Sequence, residues 1–126
     1  RVTAAAKIAQ AGYPLGFIIA PLMIYPGYQS GYAELFSRLA AMLNPQPASL
    51  SFELITHRFT TSAKKIILER FPNTGLDLNE ANRRRKYGRY GLAKYIYAQD
   101  DYSELQNTIL ELVKEYFPQA EIEYFT

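Results

Sequence analysis

Leu15-Gly16-Phe17-Ile18-Ile19-Ala20 is a short, unbroken apolar run, preceded by Gly12 and Pro14 and closed by Pro21. Such a run suits a strand covered on both faces, as in a parallel sheet. Downstream, Tyr32, Leu35, Phe36, Leu39, Met42 and Leu43 recur at helical spacing, which predicts a helix over 31–43 that Asn44-Pro45-Gln46-Pro47 then breaks. A second strand is expected over 50–56, with Leu50, Phe52 and Leu54 on one face and Glu53 and Ile55 on the other. A third helix follows, capped by Thr60, Thr61 or Ser62 and carrying Ala63, Ile66, Ile67 and Phe71. Strand–helix–strand–helix succession implies right-handed βαβ units with parallel pairing, so the fold class is α/β.

Working outward to the N-terminus, Val2, Ala5, Ile8 and Ala9 share one face of a helix over 1–11, and Gly12 is its stop. The chain opens on Arg1 inside that pattern, as expected of a piece cut from something longer. Toward the C-terminus the rhythm changes. Residues 72–75 read as a turn and 76–82 as a polar connector. From 84 to 97 basic and aromatic residues alternate around Gly88-Arg89-Tyr90-Gly91, a hairpin pattern with Tyr95-Ile96-Tyr97 as the returning strand. Asp100 or Asp101 is the expected cap of a last helix, with Glu104 completing a capping box with Asp101. That helix carries Leu105, Ile109, Leu112, Val113, Tyr116 and Phe117 and is stopped by Pro118; residues 122–125 can form a short final strand. There are no repeats and no low-complexity tract.

Bulk composition narrows the classes. With 126 residues, 48% apolar and 21% charged, the chain suits one globular domain and is not disordered. The longest apolar stretch, 15–23, is interrupted by Gly16 and Pro21 and is far too short to span a bilayer. No signal peptide opens the chain, so a soluble, cytoplasmic protein with no membrane partner is expected. The absence of cysteine excludes disulfides, thiol catalysis, zinc–thiolate sites and iron–sulfur ligation by this chain. A net charge of +2 indicates no partner by itself. Its distribution does: Arg83, Arg84, Arg85, Lys86, Arg89 and Lys94 fall within twelve positions that contain no acid, concentrating a positive field.

That hairpin segment is the main candidate site. Guanidinium and ammonium groups neutralise phosphates, and tyrosine rings stack on bases or wedge between them. Arg89 and Tyr90 at the tip are the expected nucleic-acid contacts, with Arg85, Lys86 and Lys94 on phosphate. An ordinary edge strand protected by its lysines and arginines is the plainer alternative. His57, the only histidine, sits with Arg58 at the end of the second strand, the side on which α/β folds bind ligands. A lone histidine is more often structural, and Glu53 reads more safely as an ion-pair partner for Arg58 than as a functional carboxylate. The first strand has no reactive side chain, but its end at Ala20-Pro21 can offer main-chain groups to a flat ring. No Ser/His/Asp set, phosphate loop or dinucleotide fingerprint is present, and neither a catalytic residue nor a metal ligand is assigned.

Three segments together resemble spore photoproduct lyase, a radical S-adenosylmethionine family that repairs a UV-induced thymine dimer in spore DNA. They are residues 11–21 (AGYPLGFIIAP), 52–60 (FELITHRFT), and 84–91 (RRKYGRYG) continuing to Lys94-Tyr95-Ile96-Tyr97; the closing Ile122-Glu123-Tyr124-Phe125-Thr126 resembles the end of that family. The resemblance implies the C-terminal part of a partial (β/α)6 barrel. Late βα units would lie in 1–71, a DNA-contacting hairpin in 83–97, and a C-terminal helix and strand in 101–126. It implies that Ala20 lies near the adenosine of S-adenosylmethionine, and that Arg89 and Tyr90 are inserted at the damaged dinucleotide. It also implies that the [4Fe–4S] cluster and the hydrogen-donating cysteine belong to an N-terminal half outside this chain. The intact enzyme would then abstract a hydrogen atom with a 5′-deoxyadenosyl radical and restore two thymines; whether this chain alone is an enzyme stays open. Two rivals remain beside that reading: a non-catalytic nucleic-acid-binding module, and a related radical enzyme with another substrate. A half barrel would leave strand edges and apolar surface bare, so the chain alone is expected to be unstable or to associate.

Overall fold

The computed structural model describes residues 1–88 and 91–126. Its frame is a parallel sheet of β1 (Leu15–Leu22), β2 (Leu50–Thr56) and β5 (Glu121–Phe125), with β2 in the middle. The expected α/β class with parallel pairing is therefore what the chain adopts. In-register rows cross the sheet: Phe17 beside Phe52 beside Ile122, and Ile19 beside Leu54 beside Phe125. These rows face the helices α1 (Val2–Gln10), α2 (Tyr28–Met42) and α4 (Gln99–Tyr116). Phe36 of α2, Phe52 of β2 and Phe117 after α4 meet with ring centroids 5.4–6.3 Å apart, the centre of the core. Leu105, Ile109 and Val113 supply the buried stripe of α4 that the sequence spacing predicts.

The opposite face of the sheet is open, which corrects the expectation for β1. Its inward positions are half-buried, but Gly16, Ile18 and Ala20 point away from the helices, and Ile18 is 66% exposed. The cause is topological: β1 pairs only with β2, and all three packed helices lie on the other side. A continuous apolar run fits a two-sided burial that this chain supplies on one side only.

Several boundaries shift for identifiable reasons. Helix α2 starts at Tyr28, ahead of the predicted 31, because the Tyr28 ring is buried and its hydroxyl donates to Glu104 Oε1 at 3.0 Å. That bond also removes Glu104 from the expected capping box. Helix α4 starts after Ala98, which offers no side-chain cap, and Asp100 and Asp101 lie within the first turn. There they favour the positive end of the helix dipole instead. In α3 (Thr61–Arg70) Thr60 is the cap, its Oγ1 accepting from Ala63 N–H at 3.1 Å. The predicted apolar face of α3 stays largely bare, with Ile66 48% and Phe71 63% exposed. In α1, Ile8 is likewise exposed, whereas Val2 and Ala9 lean on the core. The connector 76–82 is less polar in effect than in composition, since Leu78 is buried with Phe59 and Tyr95 in a second, smaller core.

Candidate nucleic-acid interface

Strands β3 (Arg83–Tyr87) and β4 (Ala93–Tyr97) form the antiparallel pair expected of the hairpin. Its turn closes through Gly91 N–H to Gly88 O at 3.0 Å and Gly88 N–H to Leu92 O at 3.0 Å. Gly91 has φ of +73°, a left-handed conformation that costs glycine little and most residues more. Arg89 and Tyr90, the expected tip contacts, lie outside the described residues.

Pairing sorts the basic residues onto two faces. Arg83 opposes Tyr97, Arg85 opposes Tyr95 and Tyr87 opposes Ala93; on the other side Arg84 opposes Ile96 and Lys86 opposes Lys94. Because successive side chains alternate, the run Arg83-Arg84-Arg85-Lys86 divides between them. Arg85, an expected phosphate contact, sits between the rings of Tyr87 and Tyr95, 5.5 and 5.8 Å from their centroids. Lys86 and Lys94 are both exposed and directly opposed on the second face. A cross-strand pair of like charges is unfavourable by itself and is relieved by an anion.

Arg83 belongs to neither surface. Its side chain is 1% exposed, and its guanidinium lies 3.8 Å from the centroid of the Tyr97 ring. Nη1 donates to His57 O at 3.2 Å, and Nη2 stands 3.6 Å from Asp77 Oδ2. This is a structural arginine at the root of the hairpin, and composition alone does not separate it from its neighbours. Two further ties hold the root. Phe59 and Tyr95 exchange backbone bonds, Phe59 N–H to Tyr95 O at 3.1 Å and Tyr95 N–H to Phe59 O at 2.8 Å. The Tyr97 hydroxyl accepts from Ile24 N–H at 2.9 Å, in the loop after β1. The hairpin is thus fixed to the segments that follow β1 and β2, at the C-terminal end of the parallel strands.

His57 is buried as part of this root, its ring 5.9 Å from that of Phe59 and its N–H bonded to Leu22 O at 2.8 Å. Burial, and secondarily the nearby Arg83 charge, hold its pKa below the ordinary histidine value. The structural reading of the lone histidine is the one its surroundings favour. Glu53 does not pair with Arg58: among the described residues no ion pair joins them. The carboxylate instead lies beside its cross-strand neighbour Tyr124, whose phenol it pushes up in pKa by hydrogen bonding. Ala20 stands on the open face near the end of β1, where no neighbouring strand pairs with its outer edge. Among the described residues no cluster of histidine and carboxylate groups can hold a metal ion, and no helix is long and apolar enough to cross a membrane.

The sequence model of the family described as spore photoproduct lyase matches residues 1–126. This chain belongs to the spore photoproduct lyase family. The spore photoproduct lyase of Bacillus subtilis (strain 168) is 49% identical over 128 residues, a match covering 100% of this chain and 37% of the relative. That of Clostridium acetobutylicum is 39% identical over 124 residues, covering 98% and 36%. The chain therefore spans little more than a third of the length of these relatives. Among solved structures, a spore photoproduct lyase complexed with dinucleoside spore photoproduct superposes with a TM-score of 0.94 at 46% identity, over 100% of this chain and 37% of that one. A mutant spore photoproduct lyase with bound AdoMet and dinucleoside spore photoproduct superposes equally well, with the same TM-score of 0.94.

Proposed function

We propose that this chain is the C-terminal portion of an enzyme that repairs the spore photoproduct, 5-thyminyl-5,6-dihydrothymine, in DNA. Its role there is to supply late strands and helices of a partial (β/α)6 barrel over 1–71, a lesion-binding hairpin over 83–97, and a closing helix and strand over 101–126. The observation that carries the reading is the placement of the basic β3–β4 hairpin at the C-terminal end of the parallel strands, in a chain of the spore photoproduct lyase family. In parallel α/β folds that end is where ligands bind. Arg89 and Tyr90 are assigned to the lesion, and Lys86 and Lys94 to backbone phosphate. Arg85 is assigned to phosphate as well, from the aromatic face.

Residues for the cofactors divide unevenly. S-adenosylmethionine fits beside Ala20, where a small side chain and an unpaired strand edge leave main-chain groups for an adenine ring. A [4Fe–4S] cluster does not fit this chain, which has no cysteine, so its ligands belong to the part of the enzyme outside these residues. When bound, the pair supplies the radical that abstracts hydrogen from the lesion. What this chain's residues do is grip and orient the damaged strand.

The test is binding of the intact protein to a duplex carrying the spore photoproduct and to undamaged duplex, followed by fluorescence anisotropy. Tighter binding to the lesion, lost in the Arg89→Ala/Tyr90→Ala variant, is the expected result. Equal binding to both duplexes would remove lesion reading from the hairpin.

A further inference from the structure

The second face of the hairpin does not look into open solvent along its whole length. Arg84, Lys86 and Ile96 form one wall of a cleft of about 240 Å³, whose other walls are Thr56 and Arg58 at the end of β2, Phe125 and Thr126 at the end of β5, and Tyr102 of α4. Three cations from two separate parts of the chain converge there. Among the described residues no Asp or Glu side chain lines the cleft, and none of the three cations is ion-paired. The nearest acid on β2, Glu53, is turned to Tyr124. Edge protection accounts for exposed cations on a free hairpin, but not for Arg58, which is half-buried and lies on no strand edge.

Three cations without an ion-pair partner, around a cleft lined by both polar and apolar groups, repel one another, and a concave site focuses that field. A phosphodiester relieves it: one charge is shared by two unesterified oxygens, which match the fork of a guanidinium and the point charge of an ammonium. Phe125, Tyr102 and Ile96 then suit the sugar beside it. We propose that this cleft seats one backbone phosphate of the DNA, held by Arg58, Arg84 and Lys86. The assignment rests on the reading of the hairpin as a DNA-binding element. It adds a contact on the sheet side, so that the duplex backbone is clamped between the hairpin and the ends of β2 and β5. Such a contact carries no sequence information and fixes register.

The experiment is anisotropy on the intact protein with a spore-photoproduct duplex at several salt concentrations, repeated with single methylphosphonate linkages scanned along the flanks of the lesion. Arg58→Gln and Arg84→Gln are each expected to weaken binding about tenfold and to lower the salt slope by about one. At one linkage the neutral methylphosphonate should cost the parent protein the same factor and cost the two variants nothing further. Arg58→Lys, which keeps the charge, should keep the slope. If Arg58→Gln and Arg84→Gln bind as the parent while Lys94→Ala is weakened, the cleft holds no phosphate and the hairpin reading stands. If all three variants bind as the parent, both fall. Equal losses in Arg58→Lys and Arg58→Gln, with a lowered Tm in both, would make Arg58 structural and overturn the assignment.

Discussion

Arg83 and Arg84 are adjacent, chemically identical and indistinguishable in the sequence, yet the structure assigns them opposite consequences when truncated. Arg83→Ala removes a guanidinium that is 1% exposed, with charge-assisted bonds to His57 O at 3.2 Å and Asp77 O at 3.4 Å and an ion pair to the Asp77 carboxylate at 3.6 Å. It also removes a stacked contact 3.8 Å from the Tyr97 centroid. Bonds to a charged group contribute about 1.5–3 kcal/mol and a desolvated cation–π contact about 2 kcal/mol. Their sum overstates the loss, because neighbouring terms are not additive and Arg83 Nε is itself buried without a partner. A cost of about 3 kcal/mol to the anchoring of the hairpin is the working figure. Arg84 is exposed and has no protein partner among the described residues, so Arg84→Ala should stay within about 0.5 kcal/mol.

The assay is native-state hydrogen exchange in the intact protein, read at the amides of Phe59 and Tyr95, whose bonds cross from the hairpin to the segment after β2. Protection there should fall about a hundredfold in Arg83→Ala, since every 1.4 kcal/mol is about a factor of ten. It should be unchanged in Arg84→Ala. Equal protection in the two variants would refute the claim that Arg83 fastens the hairpin to the sheet.

His57 gives the root of the hairpin a pH dependence. Its folded pKa lies below its unfolded value, so between the two the unfolded chain binds more protons, and stability rises with pH. The contribution is complete above about pH 6.5 and is lost as pH falls through the folded pKa, with a slope of up to about 1.4 kcal/mol per pH unit. Urea denaturation across pH 7.5 to 5 should show it, and His57→Phe should flatten it; a parent profile already flat in that range contradicts the assignment. The open sheet face bears on association: the chain by itself is expected to self-associate through the β1 edge and the bare Ile18, and Ile18→Lys should lessen it. Sedimentation velocity decides, and a monodisperse, high-melting monomer of the parent chain would contradict it.

Local signals made much of this protein legible. The span of β2, the Thr60 cap, the buried stripe of α4 and the antiparallel pairing around Gly88 and Gly91 all depend on spacing, β propensity, capping or turn chemistry, interactions that reach only a few residues along the chain. The resemblance to the spore photoproduct lyase family was also legible, since it rests on ordered segments rather than on geometry. The capping box at Asp101 and the Glu53–Arg58 pair failed because each assumed that a nearby partner was the true one. Glu104 went to Tyr28, on α2, and Glu53 to Tyr124, on the last strand.

Sequence by itself determined the order and approximate place of the main helices and strands, that the strands of the main sheet run parallel, and that positive charge gathers on one hairpin. Only the tertiary structure decided which side of each element is covered and which of the clustered cations are available. Ile18 carries the pattern of a buried strand and is bare, because burial depends on what packs across the sheet. Arg83 carries the pattern of a phosphate contact and is locked against Tyr97 and His57, while Arg58, distant in sequence, joins Arg84 and Lys86 in a cleft. Charge and periodicity are properties of a chain segment; exposure, pairing and convergence depend on residues that only folding brings together.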